Sequence, residues 1–355
     1  MQRHPASKFA FIRGVMTHME STSSLLQKQQ KRTYYMWVMV FFLIMTTCIG
    51  SLYYCTLKID YTWRWYRVPQ YFFFNEEIEV RTDVAGTVES IEDTTDGTLI
   101  RINGDDGDSI DYAYPSKKVR IYEGDSLFEG DVLGSYHKWQ VGILLQGLWL
   151  TLKVSFVAII FGILLGLCAG LARISSNPAF KWLAITYIEI IRGSPLLVQI
   201  FIWYFVLGTL VNTMLAQYGI PQVPPLWFGV ASLATFTGAY VAEIVRSGIQ
   251  SIHKGQTEAS RSLGMTYAQS MYHVILPQAF IRIIPPLAGQ FISLIKDSSL
   301  LGIIAIRELT KATREVVTTS LQPFELWFVC AILYLVLTFT LSMLLQYLEK
   351  RMIHS

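Results

Sequence analysis

Glu258-Ala259-Ser260-Arg261-Ser262-Leu263-Gly264, followed after nine further residues by Val274-Ile275-Leu276-Pro277, lies between two long apolar stretches of a 355-residue chain. Glycine adopts turn backbone that other residues avoid, and proline cannot extend a helical donor ladder. The spacing therefore predicts a short helix, a glycine break, and a second helix ended by proline. The segment carries no catalytic nucleophile, no metal ligands and no phosphate loop. It reads as a docking element, with small side chains at Ala259 and Ser260 that permit close approach to a groove on another protein.

The composition sets the surroundings. Hydrophobic residues make up 52% of the chain and charged residues only 15%, which places it among membrane proteins. The net charge of +3 is unevenly spread. A span needs about 20 apolar residues, and six stretches qualify: Tyr34 to Tyr54, Leu144 to Leu171, two between Gly193 and Ala242 around the turn Gly219 to Pro225, Ile283 to Ile306, and Phe324 to Leu348. This gives one extra N-terminal helix and a core of five. The first apolar run is too long for the core of a cleavable signal. Basic residues precede the first span and follow the last, and the loop that holds the docking stretch carries Arg246, Lys254, Arg261 and Arg282. With six spans, both termini and that loop then face the cytoplasm. Cys48, Cys55, Cys168 and Cys330 lie in or beside apolar segments and read as buried thiols, not as a disulfide framework or metal site. Five segments follow: a basic cytoplasmic stretch at 1–33, the extra helix at 34–56, an extracytoplasmic insert at 57–139, the membrane core at 140–350 and a tail at 351–355.

The docking stretch closely resembles the EAA loop of ABC-transporter permeases: Glu-Ala-Ala, three residues, Gly, nine residues, Ile-x-Leu-Pro. Ser260 stands for the second Ala and Val274 for the Ile. Gly238-Ala239-Tyr240 through Glu243, Arg246, Gly248 and Gly255-Gln256 narrows the resemblance to the polar amino-acid permeases. So do Glu189 to Gln199 and Lys296-Asp297-Ser298-Ser299-Leu300. The resemblance spans roughly residues 140 to 350. It implies an all-α membrane bundle with a five-helix, MetI-like permease core, in the bacterial inner membrane. Glu258, Ala259, Ser260, Gly264, Leu276 and Pro277 would then engage a cytoplasmic ABC ATPase dimer. The other implied partners are a second permease subunit, identical or paralogous, an extracytoplasmic substrate-binding protein, a polar amino acid and membrane lipid, but no nucleic acid. No cofactor would bind this chain. ATP and Mg would sit in the ATPase, and the chain has no Gly-x-x-x-x-Gly-Lys-Ser/Thr motif of its own.

Charges at membrane depth cost about 2.5–3.5 kcal/mol on insertion scales, so they mark a pathway or a partner. Lys296 and Asp297 are neighbours in sequence and cannot face each other on one helix. Either the helix breaks there, which Pro285-Pro286 and Ser298-Ser299 favour, or each finds a separate partner such as Glu189 or Arg192. Glu189 and Arg192 are spaced to pair with each other, and Gly193-Ser194-Pro195 then disrupts the helix. Arg192, Gly193, Ser194, Pro195, Gln199, Lys296, Asp297 and Ser298 are the candidate pathway residues. For Gln199 an interhelical hydrogen bond is an equal reading. Gly162, Gly166 and Gly170 form a small-residue face for helix packing. The aromatics around Trp37, Trp63, Trp65, Tyr71 to Phe74, Trp149 and Trp327 suit an interfacial belt, and Tyr61 to Phe74 suits a surface-lying segment.

Residues 78 to 136 alternate and are punctuated by turn pairs such as Asp96-Gly97, Asp106-Gly107, Glu123-Gly124 and Glu129-Gly130, the pattern of a small all-β unit. Val84 to Val88 and Gly124 to Leu133 resemble a lipoyl or barrel-sandwich domain, although Tyr114-Pro115-Ser116-Lys117-Lys118 lacks the modified-lysine hairpin. The cluster Asp105, Asp106, Asp108 and Asp111 reads as solvated turns; calcium is the alternative, without EF-hand spacing. Two rival functions exist: a membrane-anchored secretion or fusion adaptor, and an ion-gradient-driven transporter.

Overall fold

The computed structural model describes residues 6–95, 97–104, 108–115 and 119–353. It divides into two compact units, Met1–Trp63 and Arg64–Ser355. The first contains the helix α1 (Ala6–Lys58). Among the described residues, six helical stretches are long and apolar enough to cross a membrane: Thr33–Lys58, Ile143–Arg173, Leu196–Gln217, Pro225–Gln250, Tyr267–Ile304 and Pro323–Leu348.

In the second unit a short 3-10 turn (Trp65–Tyr71) leads into β1 (Phe73–Arg81), β2 (Gly86–Thr94), β3 (Gly97–Gly104), β4 (Ser109–Tyr114), β5 (Ser126–Leu127) and β6 (Val132–Val141). β1 and β6 pair as an antiparallel ribbon, and the others form a sheet in the order β4-β3-β2-β5. Val88, Ile100, Ile102, Tyr114 and Leu133 are buried together, so alternate residues of β2 and β3 supply one apolar face. Gly124 and Gly130 turn the chain with φ of +90° and +93°, where a side chain would be strained. Asp111 is bonded to Arg101 at 2.8 Å. Asp108 is exposed; the calcium candidates Asp105 and Asp106, and the residues 116–118 of the lysine-hairpin comparison, lie outside the described residues, as does Asp96.

The ribbon feeds directly into α2 (Ile143–Arg173). The helices α3 (Pro178–Gly193), α4 (Leu196–Phe201), α5 (Thr209–Gln217), α6 (Pro225–Gln250), α7 (Lys254–Ser262), α8 (Tyr267–Ser270), α9 (Leu276–Asp297), α10 (Leu309–Ser320) and α11 (Pro323–Ile353) follow. A π segment (Ile202–Gly208) joins α4 to α5, and another (Met271–Ile275) joins α8 to α9. Asn212 pins the turn before α6, accepting from the Val223 amide at 2.8 Å and donating to its carbonyl at 3.2 Å.

The small-residue face sets the helix order. A β-carbon at Gly162 would meet Thr237 at 2.9 Å, one at Gly166 would meet Val241 at 2.5 Å, and one at Gly170 would meet the Ala242 carbonyl at 2.8 Å. Because the partner residue number climbs with the glycine number, α2 and α6 run parallel. Their C-terminal ends meet at the end that carries α7, and their N-terminal ends meet where the ribbon attaches.

At that ribbon end Leu144, Leu309, Val316 and Leu326 bury Val68 of the 3-10 turn. Thr151 accepts from the Leu309 amide at 3.1 Å. Glu308 is fully buried and caps α10, accepting from the amides of Thr310 and Lys311 (2.8 Å each) and from the Tyr334 hydroxyl (3.0 Å). Burial pushes its carboxyl above the ordinary glutamate range, against the lowering pull of those bonds.

One expectation needs correction. The cysteines are free, but Cys48, Cys55 and Cys168 are exposed and only Cys330 is buried; an apolar span surface accepts thiols as readily as a core does. Pro285 and Pro286 lie inside α9 without ending it.

Overpacking a close helix contact costs about 1–3 kcal/mol. Gly166→Leu is therefore expected to lower the melting temperature of the purified protein by several degrees, whereas Gly193→Leu, which meets nothing within 4 Å, leaves packing intact. Thermal unfolding of both variants checks this.

Candidate functional site

The docking hairpin is built by its own caps. The His253 imidazole Nδ1 accepts from the Gly255 amide at 3.1 Å and starts α7. At the other end the Met265 amide reaches the Ser260 carbonyl at 3.2 Å and the Gly264 amide reaches that of Arg261 at 3.0 Å. This Schellman closure needs a left-handed residue, and Gly264 has φ +84°. Thr266 and Gln269 then form a capping box for α8. Ser260 faces inward, buried, bonding the Ser270 hydroxyl and the Thr257 carbonyl at 2.9 Å. Glu258, Ala259, Gly264 and Pro277 are exposed and Leu276 is half-buried. The expectation that Pro277 ends the second helix fails: the chain continues through it into α9. The wider π turn at Met271–Ile275 just upstream accommodates a residue that cannot donate.

Two further contacts fasten this hairpin to the spans. Arg282 on α9 donates to the Ser251 carbonyl at 2.6 Å and to its hydroxyl at 3.0 Å. A β-carbon at Gly248 would meet the Ile283 side chain at 2.4 Å, so the α6 backbone seats directly on a side chain of α9. Val241, Val245, Ile249, Ile275, Ala279 and Ile283 form one buried cluster under the hairpin. A push on α7 thus acts on α6 and α9 together. Sequence reasoning passed over Leu263, whose side chain is 84% exposed at the tip of the hairpin; a bare leucine beside the glycine break was the available signal.

The charges at this end pair differently from expectation. Glu189 meets Arg173 at 3.5 Å, not Arg192. Arg173 also holds Glu243 at 2.9 Å, and Arg246 bonds the other Glu243 oxygen. Arg192 instead lies over the Tyr240 ring, 5.3 Å from its centroid. The three-residue spacing of Glu189 and Arg192 misled because the parallel α2–α6 contact brings Arg173 between two carboxylates.

The chain breaks at Ser194-Pro195, between α3 and α4. Gln199 is buried, and its amide donates to the carbonyls of Ile191 (2.7 Å) and Ser194 (3.2 Å) and to the Ser194 hydroxyl (2.9 Å). Ser194 itself donates to the Ile190 carbonyl at 2.9 Å. The break's freed carbonyls are satisfied locally. The second break falls after Asp297, where α9 tightens into a 3-10 segment (Ser298–Ile304). Ser298 is buried and donates to the Ile295 carbonyl at 2.7 Å; Lys296 is exposed and Asp297 half-buried. The eight pathway candidates therefore form two groups, one at each break, and Gln199 and Ser298 have their donors directed at backbone.

Removing the Gln199 amide strips donors from buried carbonyls, at about 1–3 kcal/mol for each unpaired group. Gln199→Leu is expected to lower thermal stability more than Ser194→Ala does, measured on the purified protein.

The family described as "Binding-protein-dependent transport system inner membrane component" matches residues 158–354. The chain is 40% identical over 208 residues to the probable glutamine ABC transporter permease protein GlnM of Bacillus subtilis (strain 168), covering 59% of this chain and 92% of that one. It is 36% identical over 212 residues to the glutamine transport system permease protein GlnP of Escherichia coli (strain K12), covering 60% and 94%. Among solved structures, one described as an amino acid ABC transporter with histidines superposes with a TM-score of 0.52 at 40% identity, over 59% of this chain and 94% of that one. With hairpin, helix order and relatives in agreement, the chain belongs to the inner-membrane permease components of binding-protein-dependent transport systems.

Proposed function

We propose that this chain is the transmembrane permease subunit of an ATP-driven importer for polar amino acids. The observation that carries the reading is the capped α7–α8 hairpin, exposed at Glu258, Ala259 and Leu263 and clamped to two spans through Arg282 and Gly248. The amino-acid permeases among its relatives support the substrate class. In this reading the hairpin at 249–277 faces the cytoplasm and docks on an ATPase dimer, which holds ATP and Mg. Hydrolysis there reaches the bilayer as a rigid-body shift of α6 and α9. Both termini are cytoplasmic, and residues 57–139, which follow the extra helix at 34–56 in sequence, lie outside the bacterial inner membrane as a barrel-sandwich-like insert.

The pathway in this reading runs along α9 against a second permease subunit. Pro286, Gly289 and Lys296 are exposed, with Gln290, Ser293 and Asp297 half-exposed. These recur every three to four residues and so share one face. A polar, small-residue stripe is a poor lipid surface and a good wall for a hydrophilic solute. A zwitterion would meet it near the break at Ser298, where helix-end groups of α9 are close at hand. Glu258, Ala259, Ser260, Gly264, Leu276 and Pro277 serve coupling, and Arg192, Gly193, Ser194, Pro195 and Gln199 contribute to the pathway from the other helix break, whose Leu196 and Ile200 share a core cluster with Leu301 and Ile304.

Reversing a charge in a protein–protein contact costs about 2 kcal/mol or more, roughly a 30-fold loss of affinity at 1.4 kcal/mol per decade. Affinity purification of the permease is expected to retain the ATPase for the wild type and to lose it for Glu258→Arg and Leu263→Asp, with membrane insertion unchanged. Full retention by both variants would refute the docking role. Uptake by proteoliposomes without nucleotide would refute ATP-driven import and favour an ion-gradient mechanism.

A further inference from the structure

We infer that the base of the β1–β6 ribbon is a lipid-binding foot that seats the β insert on the membrane surface. The ribbon changes chemistry along its length. Its first three rungs pair Phe73 with Val141, Phe74 with Gln140 and Asn75 with Trp139; the next pair Glu76 with Lys138, Glu77 with His137, Ile78 with Tyr136 and Glu79 with Ser135, so three of these four carry a glutamate. Ser135 donates to Glu77 at 2.5 Å within the upper rungs, and Gln140 donates up to Glu76 at 2.6 Å. The lower rungs expose large apolar groups instead: Phe73 is 55% exposed, Val141 48% and Trp139 71%, and Tyr66 on the adjoining turn is 76% exposed. An open cleft of about 770 Å³ between turn and ribbon is lined by Val68, Pro69, Phe72, Phe74, Asn75 and Trp139.

The height of this foot is fixed by α2. The Gly142 amide donates to the Phe72 carbonyl at 2.6 Å, and a β-carbon at Gly142 would lie 2.2 Å from the Tyr71 carbonyl oxygen. Turn, ribbon and the N-cap of α2 are therefore in backbone contact. α2 has 31 residues, about 46 Å at 1.5 Å per residue, which exceeds the ~30 Å hydrocarbon core and matches the ~40–45 Å that includes the headgroup layers. Its start lies in a headgroup layer, and so do the apolar rungs that abut it. Aromatic rings with one polar edge favour that layer. The switch to charged rungs one step above then marks where the ribbon enters water. The exposed rungs join the start of α2 through Gly142 at headgroup depth, so phospholipid is the occupant.

The test uses the assembled transporter in lipid nanodiscs, in a background with Cys48, Cys55, Cys168 and Cys330 replaced and transport retained. Nitroxides are placed through Trp139→Cys and Phe73→Cys on the foot, and through Ser135→Cys on a charged rung. Collision with oxygen, which partitions into lipid, is compared with collision with a water-soluble nickel chelate. The expected result is an oxygen-to-nickel ratio several-fold higher at 139 and 73 than at 135. A ratio at both foot positions equal to that at 135 overturns the proposal, because the foot then stands in water. Shielding of both foot positions from both reagents also overturns it, because a protein surface then covers the patch.

Discussion

At Gly162, Gly166 and Gly170 the backbone of α2 comes so close to α6 that no β-carbon fits between them. Between apolar helices in lipid the hydrophobic effect supplies no pairing force, so dispersion and backbone proximity must do so. Glycine at every fourth position puts the entire seam on one face. Much else follows from it. It brings Arg173 against Glu243, and it sets the end of α6 beside α9 so that Arg282 can reach Ser251. The hairpin that follows α6 is fastened from two sides because two spans already meet beneath it.

Much of this bundle was legible in the sequence because a bilayer imposes length. Each charge-free run near 20 residues corresponds to a span, and Gly219 to Pro225 marked the turn before α6. Gly264 was equally legible, since its left-handed backbone follows from residue type and position. What escaped the reading depends on neighbours distant in sequence. The partner of Glu189 is set by helix order, which a three-residue spacing cannot reveal. Cysteines facing lipid and cysteines facing core occur in the same apolar text. Glu308 gave no local sign that it would be buried, because its amide donors Thr310 and Lys311 are near in sequence but Tyr334 reaches it only in the fold.

The two helix breaks illustrate different solutions to one constraint. Backbone groups freed inside an apolar layer must find partners. At Ser194-Pro195 the partner is a dedicated side chain, Gln199, which returns to the carbonyls of Ile191 and Ser194. After Asp297 the chain tightens into a 3-10 turn, and Ser298 bonds three residues back. The first solution fixes the backbone in the middle of the bundle, where Leu196 and Ile200 pack against Val154, Ala158 and Leu233. The second leaves Lys296 exposed and Asp297 only half-buried, so the ionisable groups remain available beyond the chain's own core.

The joint at Gly142 has a mechanical consequence. Nine residues of β1 extend about 30 Å at roughly 3.3 Å per residue, and they are welded to the first turn of α2 without slack. A tilt of α2 by about 5° would sweep the ribbon's tip through some 2–3 Å, on that same strand length. The β insert is thus the long arm of a balance whose fulcrum is a single glycine, and a probe fixed near Val132 would read the attitude of the whole bundle from outside it.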